Sequence, residues 1–182
     1  MTARSDDPST LDEFIAWGLA QETRFEFADG IVSPFPGGTL GQMELIAALL
    51  VRIRPHIRPG RIFASDALLR MERSARFPDL VVTYDERDGT RMTTVRYPKL
   101  IVEVLSDATA AVDRGEKLDE YRAIETLHEY VLIDSRVRWA QTHVRRSATV
   151  WNESLPITGG ELRLASIDLT IDLDALYEEC GM

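Results

Sequence analysis

With 182 residues and 45% hydrophobic side chains, the chain has enough material for one domain with a substantial core. Its lone cysteine, Cys180, excludes an intrachain disulfide and a zinc site built on cysteine, and a net charge of −9 argues against a protein that coats duplex DNA. The N-terminal MTARSDDPSTLDEF is acidic without an apolar core and the apolar runs are too short for a bilayer, so a soluble, cytoplasmic protein is expected.

Ser9 or Thr10 can cap a first helix through Leu11, Phe14, Ile15 and Leu19, ending near Glu22, with Asp12 and Glu13 in its first turn. RFEFADGIVSPFP reads as a hairpin around Asp29-Gly30, and spacing alone makes Glu26 a solvent-facing residue of an edge strand. Leu40, Met43, Ile46, Ala47, Leu50 and Ile53 recur at helical spacing, which predicts an amphipathic helix over 40–54 with this stripe in the core, stopped by Pro55. His56 has no partner at ligand spacing and is taken as a surface residue. Pro59-Gly60 is a turn, and RIFAS and ALLRME read as short strands leading into the first central strand.

FPDLVVTY and PKLIVEVLSD are two buried strands joined by a polar connection, and they can pair as neighbours. Alternation puts Leu100, Val102 and Val104 on one face and Ile101, Glu103 and Leu105 on the other. Both faces are apolar except at Glu103. A carboxylate in such a strand needs an Arg, a Lys or a metal ion beside it. Asp113 can cap the next helix, whose one face carries Asp113, Lys117, Tyr121 and Ile124. HEYVLID is a further buried strand, VRWAQTHVRR with SATVWN a hairpin, and the tail holds two short strands and an acidic helix from Leu173 to Glu179. The order indicates an α+β fold, a central mixed sheet flanked by helices.

If the two central strands are adjacent, Asp79 and Glu103 meet at one sheet end, where they need a shared proton or cation. A hard divalent ion with oxygen ligands, Mg²⁺ or Mn²⁺, suits them and suits phosphodiester cleavage. Only Lys99 and Lys117 are lysines among 21 cationic side chains, so Lys117 is a candidate point charge for an attacking water or a scissile phosphate; an ordinary helix-face ion pair with Asp113 is the alternative. Charge is also uneven: Arg52, Arg54, Arg58, Arg61, Arg70, Arg73 and Arg76 face only Asp66 and Glu72 between positions 52 and 76. That run is either a nucleic-acid contact or a solvated face.

Pro78-Asp79, Glu103-Val104-Leu105-Ser106, Asp113 with Lys117 and Tyr121, Glu129-Tyr130 before an apolar strand, and RFEFADGIV together resemble the Uma-type restriction-endonuclease-like proteins of the PD-(D/E)XK nuclease superfamily. The resemblance covers most of the chain. It implies that Asp79, Glu103 and Glu26, with Val104, hold a divalent Mg²⁺ or Mn²⁺, that Lys117 is the active-site lysine, and that the fold is restriction-endonuclease-like. It further implies hydrolysis of DNA by a homodimer, for which the charge run offers Arg52, Arg54, Arg58, Arg61, Arg73 and Arg76 as candidate nucleic-acid contacts. The superfamily's lysine two residues after the second acid is Leu105 here, and Lys117 on the following helix takes its place. Two features depart from the family: TLGQMELI has no histidine at the start of the second helix, and Ser106-Asp107-Ala108-Thr109 replaces Ser-Pro-Ser-Thr. A non-catalytic nucleic-acid-binding module and a structural dimer with a buried Glu103–Lys117 pair are therefore kept beside the nuclease.

Overall fold

A computed structural model describes residues 8–35 and 37–182. Helix α1 (Leu11–Gly18) starts in a capping box between Thr10 and Glu13. It stops before the expected Glu22 because the N–H groups of Leu19, Ala20 and Gln21 fold back onto Ile15, Trp17 and Gly18 carbonyls, tightening the last turn. Strands β1 (Phe25–Ala28) and β2 (Ile31–Pro34) form the hairpin, with Asp29 and Gly30 both at positive φ as such a turn requires. Helix α2 (Leu40–Ile53) is capped by Thr39 with Gln42 in the reciprocal position, and Pro55 sits within one further 3₁₀ turn, Arg54–His56. The buried side of α2 is turned from the stripe expected: Gln42, Leu45, Ile46, Ala48, Leu49 and Ile53 are inside. Leu40 and Met43 remain 84% and 53% exposed. The helix is apolar on so much of its surface that spacing alone fits either face.

Strands β3 (Arg61–Ala64), β4 (Leu68–Arg70), β5 (Ser74–Arg76), β6 (Leu80–Thr83), β7 (Thr94–Val95) and β8 (Leu100–Leu105) follow. β5 is absent from the sequence reading, since Ser-Ala-Arg carries no strand signal of its own. Helices α3 (Ala110–Arg114) and α4 (Glu116–Arg122) then replace the single helix expected, broken at Gly115, where φ −117° and ψ −95° lie outside the helical region. Asp113 is accordingly inside α3 rather than a cap. Strands β9 (Glu129–Asp134), β10 (Ala140–Arg145), β11 (Trp151–Glu153), β12 (Glu161–Leu164) and β13 (Leu169–Asp172) and helix α5 (Leu173–Glu179) complete the chain. Among the described residues no helix is long and apolar enough to cross a membrane.

A mixed six-stranded sheet runs β11-β10-β9-β8-β6-β3, and a second sheet runs β2-β1-β5-β4-β7. β8 and β9 are parallel, so the chain must cross over between them, and it does so through α3 and α4. Leu100, Val102 and Val104 pack with Leu80, Val82, Val131 and Ile133 against α2, α5 and the β12–β13 pair. Ile101 and Leu105 join Val81, Tyr121, Tyr130 and Leu132 on the opposite face, with Leu69 and Val95 of the second sheet. The alternation expected for β8 is thus met, and Glu103 points into the face that α4 covers.

Candidate active site

β6 and β8 are antiparallel with Leu80 opposite Val102, which brings Asp79, the residue before β6, level with Glu103. The Asp79 N–H donates to Glu103 Oε2 at 3.2 Å, and Asp79 Oδ2 accepts from the Val104 N–H at 2.7 Å. Each carboxylate is therefore aimed by the other strand's backbone. From α4, Lys117 Nζ donates to Glu103 Oε1 at 3.0 Å and the Tyr121 hydroxyl donates to the same oxygen at 2.9 Å. Lys117 and Tyr121 are one turn apart and share the face of α4 that meets β8.

Lys117 also lies 2.9 Å from Asp113 Oδ1 and 4.0 Å from Glu26 Oε1, although no donor is aligned on the Asp113 oxygen. Lys117, Glu103 and Asp113 are 5%, 3% and 2% exposed at their side chains, so their charges meet with little water between them. Burial pushes Glu103 well above the ordinary carboxylate range, against the pull of Lys117, and pushes Asp79 up to about 6. Lys117 moves upward: burial opposes its charge, but Glu103, Asp113 and Glu26 together hold its proton.

Glu26 is 7% exposed, not solvent-facing, and β1 is an inner strand between β2 and β5. Its Oε1 accepts from the Phe77 N–H at 2.9 Å and its Oε2 from Arg76 Nη1 at 3.2 Å. Arg76 in turn donates Nε and Nη2 to Glu120 at 2.9 and 2.6 Å and Nη2 to Glu116 at 2.8 Å. At 4% side-chain exposure Arg76 is no surface contact for nucleic acid, because its guanidinium is committed to three carboxylates, Glu26 on β1 and Glu116 and Glu120 on α4. Arg61 is level with Thr83, at the far end of β6 from Asp79 and roughly 13 Å away at about 3.3 Å per residue. Arg54 and Arg58 are exposed beyond the C-terminus of α2, and Arg52 pairs with Glu179. Arg73 pairs with Asp29 at 2.8 Å. The structure therefore gathers Glu26, Asp79, Glu103 and Lys117, draws Arg76 in behind Glu26 as a buried partner, and leaves Arg52, Arg54, Arg58, Arg61 and Arg73 elsewhere.

Gln42 was not singled out by its sequence. From the first turn of α2 its Nε2 donates to the Val104 carbonyl at 2.7 Å, so the second helix does bring a polar side chain to the site. The capping-box position of Gln42 is its only signal, and that explains a backbone contact rather than this one. Val104 turns its side chain into the core under α2 and offers the site its backbone alone.

A recess of about 70 Å³ opens on Asp79, Glu103, Asp113 and Lys117, with Gln42 and Arg24 among its walls. Three carboxylates (Asp79, Glu103 and Asp113) line it with Lys117 as the buried cation among them, and Glu26 adds a fourth negative charge behind Lys117 at 4.0 Å. That surplus of negative charge and the oxygen-only donor set suit a hard cation. Among the described residues no three His, Cys, Asp or Glu side chains are gathered as a ready-made cage. Mg²⁺ asks for less, since it keeps several waters and is held through one or two carboxylates with substrate oxygens. Asp79 and Glu103 fit that requirement.

Residues 11–173 match the model of the Uma2 family, described as "Putative restriction endonuclease". The Synechocystis sp. protein slr1290 is 28% identical over 170 residues, covering 91% of this chain and 90% of that one. A second Synechocystis sp. protein, sll1609, is 35% identical over 132 residues, covering 69% of this chain and 74% of that one. The crystal structure of "a putative nuclease belonging to DUF820" from Anabaena variabilis shares the fold, with a TM-score of 0.73 and 16% identity over 95% of this chain and 99% of that one.

Proposed function

The chain belongs to the Uma2 family, and on that premise we propose that it is a metal-dependent nuclease hydrolysing phosphodiester bonds of DNA at the recess between β6, β8 and α4. The observation that carries the reading is the buried constellation of Asp79 and Glu103 on neighbouring strands with Lys117 3.0 Å from Glu103. Asp79 and Glu103 would hold Mg²⁺ or Mn²⁺, with the Val104 carbonyl beside them. Such an ion supplies Lewis acidity, polarising a phosphoryl oxygen and acidifying a water.

The chain's own groups do the positioning. Lys117 keeps its proton among its carboxylates, so it acts as a fixed positive charge that orients the attacking water and offsets charge on the phosphate, rather than as a base. Tyr121 anchors Glu103 Oε1, leaving Oε2 toward Asp79. Gln42 fixes the Val104 carbonyl, and Glu26 with Arg76 holds α4 and the Phe77 backbone in place. Homodimeric assembly belongs to the same reading and rests on the family resemblance.

The test is cleavage of supercoiled plasmid and of circular single-stranded DNA by purified protein in Mg²⁺ or Mn²⁺, with EDTA as control. Asp79→Asn, Glu103→Gln and Lys117→Ala are each expected to abolish it. Undiminished cleavage by a folded Asp79→Asn or Lys117→Ala protein contradicts the assignment. A non-catalytic module, by contrast, binds DNA and leaves both substrates intact with every ion.

A further inference from the structure

Lining the same recess are three residues to which neither the charge run nor the resemblance assigns a role: Arg24, Phe35 and Phe77. The Arg24 guanidinium lies 4.8 Å from the Phe35 ring centre and 5.8 Å from that of Phe77, and the two rings are 5.6 Å apart, tilted by 57°. The group is anchored to the carboxylates. Phe77 is two residues before Asp79 and is held by Glu26 through its N–H. Arg24 Nη1 donates to the Ser65 carbonyl at 2.9 Å, and the Ser65 N–H donates to the Asp79 carbonyl at 2.9 Å. Ser65 has φ +39°, a strained value for a residue with a side chain, so this link is maintained against a conformational cost.

Charge and shape then narrow the substrate. Of the cations lining the recess, Lys117 is buried and paired, whereas Arg24 has a side chain 41% exposed. Arg24 Nη1 is engaged by Ser65 and Asp66; Nε and Nη2 have no partner among the described residues. A duplex is held by many phosphate contacts from Lys and Arg, and the exposed Arg54 and Arg58 lie at the opposite end of the sheet. A single strand needs fewer cations, because its bases stack on aromatic faces and on guanidinium planes.

We propose that Arg24, Phe35 and Phe77 form a nucleotide subsite for an unpaired strand, one base stacking against the aromatic pair and Arg24 taking the adjoining phosphate, which delivers the next phosphodiester to Asp79 and Glu103. This inference rests on the nuclease reading for the last step only. The strand is therefore a single-stranded or frayed segment of nucleic acid rather than an intact duplex.

The experiment is fluorescence anisotropy with labelled oligothymidylate, alone and annealed to its complement, in Ca²⁺ so that binding is read without cleavage. Tighter binding of the single strand is expected, weakened roughly five- to a hundredfold by Phe35→Leu as one stacked base is lost. Arg24→Gln is expected to lower the slope of log affinity against log salt by about 0.7, one phosphate contact on a single strand. Phe35→Trp retains stacking and reports it, because a base against the new indole quenches its emission, which keeps the test open if Phe35→Leu fails to fold. Equal or tighter duplex binding, no binding of either DNA, or unaltered single-strand affinity in folded Phe35→Leu and Arg24→Gln overturns the proposal. Single-strand binding without cleavage in Mg²⁺ sinks the nuclease reading and leaves the subsite standing; cleavage by both variants at full affinity does the reverse.

Discussion

Arg76 and Lys117 are both buried cations among carboxylates, one on β5 and the other on α4, and their surroundings balance differently. Arg76 meets Glu26, Glu116 and Glu120 with directed hydrogen bonds from Nε, Nη1 and Nη2, and Glu116 is 56% exposed, so water shares the load. Lys117 places a single charge against Glu103 and Asp113, while Asp79, in the same recess, has the Val104 N–H as its backbone donor and a more distant ammonium. Both Asp79 and Glu103 respond by holding protons more tightly than free carboxylates do. The first arrangement is closed and architectural. The second is short of positive charge, and that shortage is what a divalent ion can relieve.

The largest expected effect sharpens this contrast. Arg76→Met strands three carboxylates and should destabilise the fold by roughly 3–5 kcal/mol, the usual cost of breaking a buried pair on one side, measured as a shift in urea midpoint. Lys117→Met should cost less at low pH than at high pH, because Glu103 and Asp79 can neutralise themselves by protonation once the ammonium is gone. A deficit for Lys117→Met that does not narrow from pH 8 to pH 5 would break the distinction.

Asp79 gives the next effect, with a definite sign. Its folded value of about 6 lies above the ordinary 3.8, so the folded state binds the extra proton. The associated stability is present below about pH 4 and is lost as pH rises through 6, on the order of 3 kcal/mol. Asp79→Asn lacks this titration, so it should gain on the ion-free parent as pH rises from 4 to 7 in parallel melting curves. A parent-minus-variant difference that is flat across that window contradicts the charge shortage.

The smallest effects are single hydrogen bonds. Tyr121→Phe removes one from Glu103 and Gln42→Leu one from the Val104 carbonyl, each worth about 1 kcal/mol in urea denaturation. Tyr121→Phe should also loosen Lys117 by leaving it as the sole side-chain donor to Glu103 Oε1. Losses above about 3 kcal/mol would mean that these groups carry architecture comparable to that of Arg76.

Local pattern made some residues legible and hid others for specific reasons. β8 announced itself because Glu103 interrupts an otherwise apolar alternation, and the i, i+4 spacing of Asp113, Lys117 and Tyr121 placed the lysine on the correct face. Glu26 was unreadable from spacing, since what buries it is Arg76 and the Phe77 backbone, fifty positions away along the chain. Arg76 was misread for the complementary reason: a run of arginines carries no mark of which one turns inward. The α2 stripe was turned because Leu40 and Met43 are as apolar as the residues that reach the core. Gly115 hid the break between α3 and α4, as an isolated glycine in a helical pattern is ordinarily tolerated.

The central claim is that Asp79 and Glu103 share a divalent ion, and calorimetric titration of Mn²⁺ into the parent, Glu103→Gln and Arg76→Lys proteins at pH 7.5 tests it most directly. Saturable micromolar binding by the parent and by folded Arg76→Lys, with no heat from Glu103→Gln, is the predicted result. Binding that survives Glu103→Gln, or an inert parent, contradicts the account and leaves Glu103 and Lys117 as a structural pair.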